Sequence, residues 1–152
     1  MIEARFGHVN IVARDWRALA SWYERVLGCV PVPPERDLRG PLLEAGTGVP
    51  GAALRGVHLR LPGLGTEGGP TLEIYEYTPS LSARPSSVNR PGFAHIAFAV
   101  PSVEAARDIV LREGGSAVGS VVTTETADGR RVTWTYVADP EGNVVELQAW
   151  SG

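Results

Sequence analysis

Two similar stretches, FGHVNI at residues 6–11 and FAHIAF at residues 93–98, place a histidine at the same point in each half of this 152-residue chain. Later in each half a glutamate recurs in the same way, in TLEI at residues 71–74 and in VVEL at residues 144–147. Internal similarity of this kind indicates two copies of one supersecondary unit. We therefore predict one domain over residues 1–152 built from two modules, about residues 1–80 and about residues 90–152.

Both halves show the same order of predicted elements. An alternating stretch rich in β-branched residues predicts an opening strand, and a capping residue and a glycine mark the start and end of the helix that follows. In the first half the opening strand spans residues 5–13, the helix 16–27 after Asp15, and the later strands 29–32, 57–61 and 71–77. In the second half the corresponding ranges are 92–100, 103–113 after Ser102, 117–123, 131–138 and 143–150. The order predicts an α+β fold of two tandem βαβββ modules.

The first half is the longer one, because its histidine and glutamate are further apart than those of the second half. We place an insertion of about 14 residues between Pro33 and Gly56, where prolines and glycines are frequent. The prediction for this segment is a long irregular loop, a kind of loop that is usually functional or mobile. Its charged run at residues 35–39 could close over an anionic substrate, but the expectation for such a run is that it is solvated.

Composition and charge exclude several classes of protein. Hydrophobic residues make up 43% and charged residues 20% of the chain, which is typical of a folded domain. The net charge of −3, with no basic run beyond Arg130–Arg131, argues against binding to nucleic acid. The chain lacks both a membrane-spanning apolar stretch and a signal peptide, so we expect a cytoplasmic protein. Its single cysteine, Cys29, excludes an internal disulfide framework and is expected to be a small core residue.

Strand alternation places the repeated polar residues on one kind of sheet face. Neighbouring side chains of a strand point to opposite faces. The apolar neighbours of His8, Glu73, His95 and Glu146 therefore face the helix of their half, and these four side chains face away from it. Asn10 shares the face of His8.

Two imidazoles and two carboxylates at matched positions predict a metal site. A lone histidine in a strand is usually a hydrogen-bonded structural residue, and a lone glutamate is usually solvated. Duplication of both residues favours ligands instead. Imidazole nitrogen and carboxylate oxygen together suit one divalent ion of Zn, Ni, Co, Mn or Fe. The predicted metal ligands are His8, Glu73, His95 and Glu146.

Four further residues are candidates for contact with a substrate, namely His58, Asn10, Tyr75 and Trp134. His58 could bind a substrate carboxylate, replace Glu73 as a ligand, support a ligand from behind, or lie at the surface. Tyr75 and Trp134 face the cleft by alternation, although aromatic residues in sheets often serve packing alone.

With His8 and Glu73 in one module and His95 and Glu146 in the other, the chain resembles the vicinal oxygen chelate superfamily. That family includes glyoxalase I, methylmalonyl-CoA epimerase, extradiol dioxygenases, and fosfomycin and bleomycin resistance proteins. The resemblance extends over essentially the whole chain. The best-matched pieces are FGHVNIVARDWRALASWYERVLGC (6–29), GPTLEIYEY (69–77), GFAHIAFAV (92–100) and DPEGNVVELQ (139–148).

The resemblance implies a curled mixed sheet around a cleft that contains one divalent metal. It also implies a small substrate that chelates the metal through two adjacent oxygens, and a homodimer. Members with four protein ligands are of glyoxalase or epimerase type, so Glu73 as a fourth ligand favours a lyase or isomerase. By analogy Glu146 is the catalytic base, and Glu73 is a second catalytic residue on the opposite face in an epimerase. The alternatives are an extradiol-type dioxygenase and a non-catalytic protein that binds a small molecule such as an antibiotic.

Overall fold

The computed structural model describes residues 2–63, 69–82 and 86–151. The contacts between residues divide the chain into two units, Met1–Ser82 and Ala83–Gly152. Within the described ranges there are three helices and nine strands, and each unit has a mixed sheet, so the predicted α+β class is confirmed. None of the helices in these ranges has the length and apolar character needed to cross a bilayer.

The first unit has a four-stranded sheet in the order β1-β4-β3-β2 over its described residues. Its elements are β1 (His8–Val12), α1 (Trp16–Leu27), β2 (Val30–Arg39), α2 (Pro41–Thr47), β3 (Ala53–Arg60) and β4 (Thr71–Thr78). Strands β1 and β4 run parallel, and the other neighbouring pairs are antiparallel. Strand β4 therefore lies between β1 and β3, and its side chains can contact residues of both.

The second unit repeats this arrangement around its last strand. Its elements are β5 (Ile96–Ala99), α3 (Val103–Arg112), β6 (Ser116–Ala117), β7 (Val122–Glu125), β8 (Arg131–Ala138) and β9 (Val144–Ser151). The strand order is β5-β9-β8-β6, and β7 also pairs with β8. Strands β5 and β9 are parallel, and β8 and β9 are antiparallel. Strand β9 is thus the counterpart of β4.

Helix α1 begins and ends where the sequence predicts. The side chain of Asp15 accepts hydrogen bonds from the backbone N–H groups of Arg17 and Ala18, at 3.1 and 3.0 Å. Gly28 follows the last turn with φ 69°, a left-handed conformation that glycine adopts without steric cost. Leu19 and Tyr23 of the helix are fully buried. They belong to the core between α1 and the apolar face of β3 and β4.

The second unit has a core of the same design. Ser102 caps α3 by accepting a hydrogen bond from the N–H of Ala105, at 3.2 Å. Val103 and Val110 of the helix are fully buried, as are Val145 and Leu147 of β9. In each unit the helix therefore covers one face of the sheet and leaves the polar face available for a site.

The prediction of a long irregular loop between Pro33 and Gly56 is wrong. Strand β2 continues through this segment at the edge of the sheet, with a register shift between Val32 and Arg36, and α2 and the start of β3 follow. The prolines and glycines there mark element ends rather than a loop. Proline is tolerated in an edge strand, and at the first turn of a helix its missing N–H needs no partner.

Three other predicted boundaries change. The opening strands are shorter than predicted, so His8 is the first residue of β1 and His95 lies just before β5. Strand β3 begins four residues earlier than predicted, at Ala53. The strand predicted near 117–123 divides into β6 and β7, because the N–H groups of Val118 and Gly119 both donate to one carbonyl oxygen and interrupt the ladder.

Candidate functional site

In the first unit, three strands bring polar side chains together around Glu73. Asn10 of β1 and His58 of β3 lie directly opposite Glu73 of β4, one on each side of it. Neighbouring strands in a sheet are about 4.8 Å apart, so side chains in register on one face can touch. The sheet register, rather than any local motif, assembles this cluster.

The carboxylate of Glu73 is buried and surrounded by potential donors. Its residue is 8% exposed. His58 Nε2 lies 3.1 Å from Glu73 Oε1, and His8 Nδ1 lies 3.5 Å from the same oxygen. Asn10 donates a hydrogen bond from Nδ2 to Glu73 Oε2 at 3.5 Å. The structure therefore brings together four residues that the sequence predicts for the site.

His58 is itself held by two hydroxyl groups. Its Nε2 lies 2.7 Å from the hydroxyl oxygen of Tyr75, and its Nδ1 lies 3.4 Å from Thr71 Oγ1. Burial lowers the pKa of His58 below its usual value, and the positive charge of Arg36 acts in the same direction, against the raising effect of Glu73. Burial, together with the negative charge of Glu73, raises the pKa of Tyr75 to about 12. Both rings are therefore expected to be uncharged near neutral pH.

A glycine on β3 makes room for the ring of Tyr75. Gly56 lies directly opposite Tyr75, and a Cβ atom there would collide with Tyr75 Cδ1 and with the carbonyl oxygen of Ile74. Overpacking of this kind costs about 1–3 kcal/mol. Gly56 is thus a requirement of the cluster around Glu73.

In the second unit, Glu146 pairs with the other predicted histidine. His95 Nε2 lies 3.0 Å from Glu146 Oε2, and the two side chains are 29% and 17% exposed. Tyr136 of β8 lies directly opposite Glu146, at the position that His58 occupies opposite Glu73. The rings of Tyr136 and His95 are 5.0 Å apart, a distance typical of aromatic packing.

A small cavity of about 160 Å³ adjoins Glu146. Its lining is rich in aromatic side chains from β8 and β9. The lining residues are Val132, Trp134, Tyr136, Glu146, Gln148 and Trp150. Trp134, which the sequence predicts for substrate contact, thus lines the same cavity as Glu146.

Three residues of these clusters are not among the predicted site residues. Tyr136 has the same strand parity as Trp134, so alternation was a usable signal for it. Thr71 likewise shares the strand parity of Glu73, so alternation was a usable signal for it too. Arg36 carries no such signal, because its role depends on pairing across strands. Arg36 lies in the predicted loop, yet β2 places it opposite Gly56, where its charge acts on His58.

The donors in each unit suit a divalent ion of borderline softness. One imidazole and one carboxylate approach each other on the same sheet face, as His8 with Glu73 and as His95 with Glu146. Among residues 2–63, 69–82 and 86–151, no group of three or more histidine, cysteine or acidic side chains is arranged to hold a metal ion. Each unit by itself therefore supplies half of the predicted four-ligand set.

Two mixed sheets, each with a His–Glu pair on the face away from its helix, define a class of small α+β proteins with duplicated sites. A family model described as the Glyoxalase/Bleomycin resistance protein/Dioxygenase superfamily matches residues 5–147. The chain therefore belongs to this superfamily, as the sequence resemblance predicted.

Solved structures agree with this assignment at the level of the fold. A glyoxalase family protein from Bacillus cereus is 22% identical, with a TM-score of 0.82 and coverage of 100% of this chain and 97% of that chain. A glyoxalase family protein from Enterococcus faecalis is also 22% identical, with a TM-score of 0.57 and 96% coverage of both chains. A search of curated proteins finds no significant match.

Proposed function

We propose that this chain is a divalent-metal-dependent lyase or isomerase of glyoxalase type. It acts by proton transfer on a small substrate that is chelated through two adjacent oxygens. The observation that carries this proposal is the occurrence of an imidazole–carboxylate pair at the same register position in each unit. One ion would be held by His8, Glu73, His95 and Glu146, and the active form would be a homodimer.

The chemistry requires a base beside the carbon that loses its proton. When bound, the divalent ion polarises a substrate carbonyl oxygen and lowers the barrier to removal of the neighbouring proton. In the proposal Glu146 takes this proton on its carboxylate and returns it to the adjacent carbon, so the substrate is isomerised without net loss or gain of protons.

Glu146 is better placed than Glu73 for this role. It lines the cavity with Trp134 and Tyr136, where the reacting carbon of a small substrate would lie close to its carboxylate. Within the described residues, His95 is the side-chain partner of Glu146, whereas Glu73 has several. A carboxylate with few partners keeps lone pairs available for a proton.

Substitution of Glu146 tests the proposal. The wild-type chain, loaded with Ni²⁺, Co²⁺, Zn²⁺ or Mn²⁺, would be screened in D₂O against α-hydroxy, α-keto and thioester compounds for exchange of the α-hydrogen. We expect Glu146→Gln to lower the exchange rate about 100-fold or more, because a positioned base contributes that much to the rate. Glutamine keeps a ligand oxygen, so most of the bound metal should remain.

Glu125→Gln is the matched control, because Glu125 is exposed on β7 of the same unit and the change in charge is identical. Exchange should continue at the wild-type rate in this variant. Unchanged exchange in Glu146→Gln would refute the role of Glu146. A wild-type chain that binds such compounds without metal and without exchange would instead be a non-catalytic binding protein.

A further inference from the structure

We propose that His58 is a positioning residue that fixes the carboxylate of Glu73 in one orientation. Glu73 then serves as a stationary metal ligand, and the proton chemistry falls to Glu146 alone. This inference rests on the proposed function and assigns different tasks to the two glutamates that the repeated sequence makes equivalent.

Two donors from neighbouring strands approach the carboxylate of Glu73. His58 Nε2 is 3.1 Å from Glu73 Oε1, and Asn10 donates to the other oxygen, Oε2. The hydroxyl oxygen of Tyr75 lies 2.7 Å from His58 Nε2 and helps to hold the imidazole ring in place. A buried carboxylate with donors on both oxygens has little freedom to rotate, because each rotation leaves a polar group unsatisfied.

The tautomer of His58 depends on the hydroxyl group of Thr71. Thr71 Oγ1 lies 3.4 Å from Nδ1 and can donate its hydroxyl hydrogen to that nitrogen. In that tautomer the ring carries its hydrogen on Nε2, which lies 3.1 Å from Glu73 Oε1 and 2.7 Å from the hydroxyl oxygen of Tyr75. The hydroxyl of Thr71 thus orients the ring of His58, and the ring orients the carboxylate of Glu73.

The second unit has different residues at the two matching positions. Tyr136 occupies the register position of His58, and Ala97 occupies that of Asn10. Neither Tyr136 nor Ala97 supplies a nitrogen donor to Glu146. The ring of Tyr136 packs against His95 instead. Among the described residues, nitrogen donors at these two positions, His58 and Asn10, therefore occur only beside Glu73 of the first unit.

The asymmetry favours one-base chemistry over epimerisation by two bases. A two-base epimerase needs a carboxylate on each face of the substrate that is free to accept a proton. The carboxylate of Glu73 contacts His58, His8 and Asn10, whereas Glu146 borders a cavity. In the proposed reaction the proton therefore leaves and returns on the same side, through Glu146.

Metal affinity measures the positioning role without reference to turnover. Ni²⁺ would be titrated calorimetrically into the full chain and into the variants His58→Ala, His58→Gln and His8→Ala. We expect His58→Ala to weaken Ni²⁺ binding about 10- to 100-fold at unchanged stoichiometry, the usual effect of removing a residue that orients a ligand. His58→Gln keeps a nitrogen donor and should restore the affinity to near wild type. The Co²⁺ absorption spectrum should change in His58→Ala and recover in His58→Gln.

Each outcome decides between roles. Loss of Ni²⁺ binding in His58→Ala as complete as in His8→Ala, without rescue by glutamine, would make His58 a ligand and overturn the positioning role. Unchanged affinity in His58→Ala would also overturn it, while leaving the proposed function intact. If wild type itself binds no Ni²⁺, Co²⁺, Zn²⁺ or Mn²⁺, the proposed function fails first. Should His58→Ala not fold, Thr71→Val removes the hydroxyl that orients His58, and it must weaken Ni²⁺ binding for the proposal to stand.

Discussion

Cys29 shows how strongly the core of the first unit alters the chemistry of a single side chain. The residue is 3% exposed. Burial raises the pKa of its thiol to about 12, and the negative charge of Glu24 adds to this effect. The thiolate is the reactive form of cysteine, so a thiol that stays protonated is chemically inert. The sequence-based prediction of a small core residue is thus confirmed.

We expect Cys29 of the native chain to resist a disulfide reagent such as dithionitrobenzoate at mildly alkaline pH and to react fully in guanidinium chloride. The fold favours the protonated thiol of Cys29. The contribution of this preference to the free energy of unfolding is therefore complete below pH 9, and it is lost as the pH rises towards 12. Denaturant unfolding of wild type and Cys29→Ala across this range would measure the loss. Because the chain has one cysteine, labelling reports on this residue alone, and rapid native labelling would contradict the prediction.

The sequence predicted the faces of the site residues but not their partners. Strand alternation is a local property, and it correctly placed His8 and Glu73 on the face away from the helix. The contact of His58 with Glu73 depends on the register between β3 and β4, which the long connection between these strands leaves undetermined. From the sequence alone, four roles for His58 therefore remain open.

The N-terminal cap of α1, Asp15, is predicted by the sequence and is present in the structure. We expect Asp15→Ala to lower the free energy of unfolding by about 1 kcal/mol, because two N–H groups of the first turn lose their acceptor. In thermal unfolding this corresponds to a decrease of about 2–4 °C in Tm. Asp15→Asn is the control, since asparagine caps about as well as aspartate. Equal losses in both variants would assign the effect to the charge of Asp15 instead of the cap.

The insertion shows where reasoning from local signals fails. Proline and glycine interrupt regular structure in the middle of elements, but they are also common at element ends. Pro41 begins α2, and Gly48 ends it with φ 70°. The prolines of β2 lie in an edge strand, where a missing N–H leaves no neighbour unpaired. Only the pairing of β2 with β3, which is not encoded locally, distinguishes these cases.

In the proposed function, both units supply ligands to one ion. A metal that binds only the folded chain stabilises it, by about 2.7 kcal/mol when its concentration is 100 times Kd. If His8 and His95 are ligands of one ion, removal of either must abolish most of this gain.

We therefore expect one Ni²⁺ per chain in wild type and a rise in Tm on adding it. His8→Ala and His95→Ala should each lose the rise, and the double variant should lose no more than either single variant, because residues that share one ligand site are not additive. Glu125→Gln is the control, because Glu125 is in the same unit as His95 but outside the proposed metal site. This variant should keep the full rise in Tm. Two Ni²⁺ per chain in wild type, with each single variant losing one of them, would mean that each His–Glu pair binds its own ion. The substrate would then meet a two-ligand centre in each unit, and the assignment of Glu73 as a fourth ligand, on which the choice of glyoxalase-type chemistry depends, would have to be abandoned.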